Sequence, residues 1–167
     1  MIRSGKPTAV GAATAIVVGL VAVTPAAGFI SPMSAIILGA IAAVPSYLAM
    51  RIRARTSLDD SLDVVAAHGI GGATGALLTG VFAEKAFNGV ADGLLFGNPG
   101  QLLVQATAVA GAIVYSGVMS FILLKVIGLV IPLRAMATDE GAGLDLTQHG
   151  EEAYLQLGGT SSHGHAG

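Results

Sequence analysis

The stretch VVAAHGIGGATGALLTGVFA, from Val64 to Ala83, decides how this chain is read. It holds no formally charged residue and has about the twenty-residue length of a helix that crosses a bilayer. One imidazole, His68, interrupts it. A titratable ring at membrane depth is costly unless it faces a polar cavity, so His68 reads as a functional-site candidate. A histidine that hydrogen-bonds a neighbouring helix and only holds a bundle together is the alternative, and the stretch alone leaves both readings open.

The composition around it agrees with a membrane setting. The 167 residues are 53% hydrophobic and 11% charged, against about 25% charged in ordinary soluble domains, and the mean hydropathy is +0.77. That is too little polar surface to cover a water-soluble globule, which predicts an integral membrane protein. The net charge is -2 and the basic residues are scattered, so nothing outlines a nucleic-acid footprint. The absence of cysteine removes any disulfide framework or thiolate metal site. The basic start MIRSGKP leads into a long apolar run with no small-residue cleavage pattern before its end, and reads as the entry to a first spanning helix.

Four apolar runs are long enough to span: about 8–27, 33–50, 63–83 and 102–133. Thr24-Pro25 and Gly28 interrupt the end of the first. The fourth, if helical throughout, would be about 48 Å long at ~1.5 Å per residue, against a hydrocarbon thickness of about 30 Å, so it should tilt or project from the membrane. Arg3 and Lys6 precede the first span, Arg51, Arg53 and Arg55 lie between the second and third, and Arg134 follows the fourth. The other two loops carry only Lys85. The positive-inside rule therefore predicts cytoplasmic N- and C-termini. Lys125 lies inside the fourth run and is expected to snorkel or pair.

From residue 134 the character changes. Asp139, Glu140, Asp145, Glu151 and Glu152 alternate with glycines, and the chain closes on GGTSSHGHAG. That predicts a cytoplasmic tail with its last ten residues disordered. His163 and His165 in a Gly/Ser end make poor metal ligands, and no metal or other cofactor is expected. No phosphate loop, nucleophile elbow or metal cluster points to an enzyme; the glycines of 69–75 follow a packing spacing and no strand precedes them.

Within the third run, Gly72, Ala76 and Gly80 recur every four residues, as do Gly71, Gly75 and Thr79. Two stripes without bulk let helix backbones approach closely in lipid. His68 stands one turn from Val64 and one from Gly72, which places it on that face, pointing inward. Just before the span, Ser57, Asp59 and Asp60 are N-cap candidates. Asp63, about one turn deeper, needs a buried donor and is read as a structural carboxylate.

Here the residues carry a family resemblance. DDSLDVVAAHGIGGATGALLTGVFA (59–83) is similar to the histidine-bearing tenth helix of the ammonium transporter family (Amt/MEP/Rh). GKPT (5–8) with GLVAVTPAAGFISP (19–32) resembles the family's eighth helix and the loop after it, and GLDLTQHGEEAY (143–154) resembles its regulatory tail. The resemblance implies four helices of an eleven-helix, inverted-repeat channel, assembled as a homotrimer in the plasma membrane and conducting ammonium or ammonia. It implies that His68 is one of two pore histidines, that Val64 lines the pore, and that Thr24 is a hydroxyl near the outer recruitment site. Asp63, Gly71, Gly72 and Gly75 would support the pore structurally. Asp145, Thr147, His149 and Gly150 match the tail, where some plant members are phosphorylated on the threonine and PII-type signalling proteins dock in bacteria.

The physical logic suits such a site. Ammonium loses several kcal/mol or more on entering a low-dielectric path, so a route that strips a proton and passes neutral ammonia avoids most of that cost. An imidazole can take and return the proton. The chain departs from the family pattern in holding no counterpart of the first repeat, its histidine or its outer aromatic site. The expectation is a C-terminal part of a transporter; the alternative is a truncated, non-transporting regulatory or assembly subunit of such a complex.

Overall fold

The computed structural model describes residues 8–60 and 62–151. The expectations for the basic start, for Glu152 and Tyr154, for His163 and His165 and for the last ten residues lie outside them. Helices account for the regular structure among the described residues, with no strand. Four of them, Ala9–Ala26, Pro32–Arg53, Val65–Phe82 and Gly100–Ile127, are long and apolar enough to cross a membrane.

Helix α1 (Ala9–Val23) starts where Thr8 caps the Gly11 N–H with its hydroxyl at 3.1 Å. It ends in a tight turn, Thr24–Ala26, because Pro25 has no N–H to continue the ladder; Gly28 then takes a φ of 80° that turns the chain back. Helix α2 (Pro32–Arg53) opens on a Ser31 cap with proline at its first position and carries Pro45 inside, which a membrane helix tolerates. The third span begins as a π-helical turn, Val65–Ile70, and continues as α3 (Gly71–Phe82). A short loop helix, α4 (Lys85–Asn88), leads to α5 (Gly100–Ile127).

The core lies between α1, α2 and the third span. Ala22, Ala26, Ile30, Leu38, Ala42 and Phe82 form one buried cluster, and Val18, Ala66, Ala67 and Thr79 are buried as well. The side chains are small, and the helices touch by their backbones. A Cβ built on Gly75 would collide with the Ala22 carbonyl and stand 2.8 Å from the Ala22 Cα. One built on Gly80 would meet the Leu102 Cα at 3.0 Å, so the same helix also receives the start of α5. Asn88 closes the intervening loop: its amide donates to the Glu84 and Ala91 carbonyls at 2.8 and 2.9 Å, and its oxygen accepts the Val90 and Ala91 N–H groups.

Helix α5 corrects the expected fourth span of 102–133. It begins two residues earlier and stops at Ile127. Gly128 weakens the helix there and Pro132 disfavours helical backbone before it, so the apolar run outlasts the helix. Twenty-eight residues still reach about 42 Å. Lys125 Nζ sits 5.5 Å from the centroid of the Phe121 ring, one turn back on the same helix.

The described residues fall into two compact units, which part between Ser116 and Gly117. The second contains α6 (Ala137–Ala142), with Arg134 paired to Glu140 at 3.0 Å, and a π-helical turn, Asp145–His149.

Candidate functional site

The site is built on the start of the third span. Asp60 prepares it: its carboxylate oxygens accept the Val64 and Val65 N–H groups at 2.8 and 2.9 Å, satisfying two donors that a helix start leaves open. Asp63 follows with a φ of 54°, the one non-glycine in the left-handed region among the described residues. Its Oδ1 accepts from both Nε and Nη2 of Arg53, at 3.0 and 2.7 Å. The donor that Asp63 needs is thus the last residue of α2, and both side chains are about a quarter exposed at 27%.

His68 falls inside the π-helical turn Val65–Ile70. His68, Val64 and Val65 are exposed, whereas Ala66 and Ala67 are buried at 2% and 4%. The reason is which stripe packs. Gly71, Gly75 and Thr79 are buried against α1 and α2, while Gly72 and Ala76 are only partly covered. His68 belongs to the second stripe, so it rides on the open side.

One residue after His68 begins a shallow apolar groove of about 310 Å³, walled by Gly69, Gly72, Ala73 and Ala76 of the third span and by Val109, Ala112, Ile113 and Ser116 of α5. Small residues on both walls make the groove. The α5 residues were not singled out from sequence, since their helix shows no comparable glycine pattern.

Thr24 is not brought to the histidine. It sits in the turn that ends α1, exposed, and donates its hydroxyl proton to the Leu20 carbonyl at 2.7 Å. Asp145, Thr147, His149 and Gly150 lie together in the tail turn, which Gly143 and Gly150 bound with φ values of 100° and 67°. The exposed Thr147 donates its hydroxyl proton to the Gly143 carbonyl at 3.0 Å. Ser46 is a residue that sequence reading missed: its hydroxyl is fully buried in α2 without a hydrogen-bond partner among the described residues. A cation centre of three or more His, Asp or Glu residues is absent among the described residues.

The family model described as Ammonium Transporter Family matches residues 1–154. The chain belongs to the ammonium transporter family. Its membrane nature follows from that membership together with the four apolar helices. Among relatives, an ammonium transporter of Bacillus subtilis is 42% identical over 155 residues, covering 92% of this chain and 38% of its own length. Ammonium transporter Amt1 of Archaeoglobus fulgidus is 44% identical, covering 90% and 38%. The crystal structure of Saccharomyces cerevisiae Mep2 superposes with a TM-score of 0.77 at 32% identity, over 95% of this chain and 37% of that one. The chain therefore spans little more than a third of the length of these relatives.

Proposed function

We propose that this chain supplies one wall of an ammonium-conducting path, with His68 as a proton acceptor and relay on the face that the core leaves open. One observation carries the reading: the single imidazole of a membrane-length helix stands exposed, next in sequence to a glycine that walls an apolar groove, while the adjacent stripe of the same helix is closed by glycine packing. A lone structural histidine would be expected on the packed side, where Ser46 instead lacks a partner. In this reading Val64, one turn away, keeps the path apolar, and Gly71, Gly72 and Gly75 set the distance between helices.

The likeness to relatives named ammonium transporters supports ammonium as the ion recognised, and the cost of bringing a charge into an apolar path favours ammonia as the species that crosses it. The rest follows by family analogy. The four helices belong to an eleven-helix inverted-repeat subunit in a plasma-membrane homotrimer, with both termini cytoplasmic, as the arginines also favour. Thr24 lies near the outer mouth. The tail turn at Asp145–Gly150 serves coupling between subunits, and a PII-type protein docks on that face. A phosphate on Thr147 would add about -1.5 to -2 charge and break the Thr147–Gly143 bond that closes the turn.

The test is a chimera. Residues 1–154 replace the matching stretch of the Bacillus subtilis relative in a strain without its own ammonium transporter, and ammonium uptake is measured at low external concentration. Uptake by the chimera and its loss in His68→Ala is the expected result. Uptake that is unchanged in His68→Ala would remove the relay.

A further inference from the structure

The π-helical turn that carries His68 is held at both of its ends by α2. At the N-terminal end Arg53 grips Asp63 Oδ1 with two donors, at 3.0 and 2.7 Å. At the C-terminal end Gly71 lies on Ser46, whose hydroxyl oxygen would be 3.3 Å from a Cβ built there; Val21 and Val18 of α1 complete that floor at 3.8 and 3.9 Å.

The two pins do not match in register. Seven residue steps separate Ser46 from Arg53, and eight separate Asp63 from Gly71. As straight α-helix these would be about 10.5 Å and about 12 Å long. The third span places one more residue between the two attachments than α2 does. A turn with wider i→i+5 bonding accommodates it, because such a turn takes up more residues than a turn of α-helix. The cost shows at Asp63, whose φ of 54° is uncommon for a residue other than glycine, though aspartate tolerates it better than most. Such a conformation persists only where the surroundings over-determine it. Here they do: the carboxylate is held by Arg53, the Asp63 carbonyl accepts the Ala67 N–H at 2.8 Å, and Asp60 caps the next two N–H groups.

We propose that Arg53 and Asp63 are positioning residues for His68: their ion pair pins the strained start of the third span and thereby imposes the π-helical turn that sets the direction of the imidazole. Without the pair the surplus residue slips into the loop after α2 and the turn relaxes to α-helix. One residue of register is worth about 100° of rotation around the axis, enough to redirect the ring. As a device for transport this rests on the role given to His68 above; as a statement about the backbone it is read without transport.

The experiment uses the full 167-residue chain in lipid nanodiscs, with nitrogen-15-labelled histidine and amide hydrogen exchange read by NMR, the His68 signals being assigned by their loss in His68→Gln. Asp63→Asn keeps the shape and the tolerance for positive φ but weakens the pair. We expect the His68 ring signals to move and exchange at residues 66–70 to accelerate about tenfold or more, as loss of a charge-assisted bond implies, while residues 77–82 keep their rates. Arg55→Gln, which removes a positive charge from the exposed loop beside Arg53, should change neither. Unmoved His68 signals in a folded Asp63→Asn chain, or acceleration spread equally over residues 77–82, would overturn the proposal. Should Asp63→Asn lose its helix content, Arg53→Lys carries the test, since it keeps the charge but not the two-donor grip: selective change at 66–70 supports the proposal and no change overturns it. Failure of the transport role would show only in the uptake of His68→Ala and would leave these spectra as described.

Discussion

The third span and helix α5 are built of similarly apolar residues and have opposite fates. The third span has the lowest mean hydropathy of the four, 1.3, yet 33% of it is buried; α5 has a mean hydropathy of 1.9 and none of it is buried. In water the ranking would run the other way, because burial follows apolar area. In lipid the surroundings are as apolar as leucine, and what draws helices together is close fit. Gly71, Gly75 and Gly80 allow the fit; α5 presents Val104, Ile113, Val114 and Phe121 outward instead.

The largest effect that would break this contrast is a side chain placed in the closest contact. Gly75→Leu forces α1 and the third span apart at Ala22 and should cost about 3 kcal/mol or more, at or above the upper end of ordinary overpacking. Gly111→Leu on α5 meets nothing within 4 Å and should stay within about 0.5 kcal/mol. Unfolding by sodium dodecyl sulfate titration in mixed micelles measures both, and equal costs would contradict the contrast. Next comes Leu38→Ala, which empties a fully buried site and should cost about 2 kcal/mol or more from the cavity left behind; Leu103→Ala, 72% exposed, should cost little in the same titration.

Smaller effects sharpen the account at the helix start. Asp60→Ala removes the acceptor for two N–H groups and should cost about 1 kcal/mol, the usual worth of an N-cap. Ser46→Ala has the opposite sign. It deletes a buried hydroxyl that lacks a partner among the described residues, so stability should rise by about 1 kcal/mol. A loss of similar size would mean that the hydroxyl has a partner in solution.

Much of this was legible in the sequence for identifiable reasons. The spans follow from apolar length, the end of α1 from Thr24-Pro25, the cap from Asp60, and close packing from the four-residue spacing of small residues. What the spacing could not decide is which of two adjacent stripes packs. Both are free of bulk, and the choice depends on the Ala22 backbone and on Ser46, in other helices. His68 stands one turn before both stripes and is exposed in this chain. The π-helical turn was hidden for a related reason: it answers to a register difference between two helices, and no local pattern in residues 65–70 encodes it. The donor to Asp63 lies ten residues upstream, among three arginines that sequence alone weighed only as topogenic charge. Helix α5 ended early because hydropathy continues through Gly128 and Pro132, while helical backbone does not.

The central claim is that the face bearing His68 borders the conducting path and the face bearing Gly71 does not. The chain has no cysteine, so single cysteines can be placed in the chimera on a cysteine-free background and exposed to a small uncharged thiosulfonate, with and without ammonium. The account predicts that Val64→Cys and Ala76→Cys react and are slowed by ammonium, while Ala67→Cys and Thr79→Cys, both 4% exposed in the structure, stay unreactive. Reaction at Ala67→Cys and Thr79→Cys with silence at the other two would contradict it.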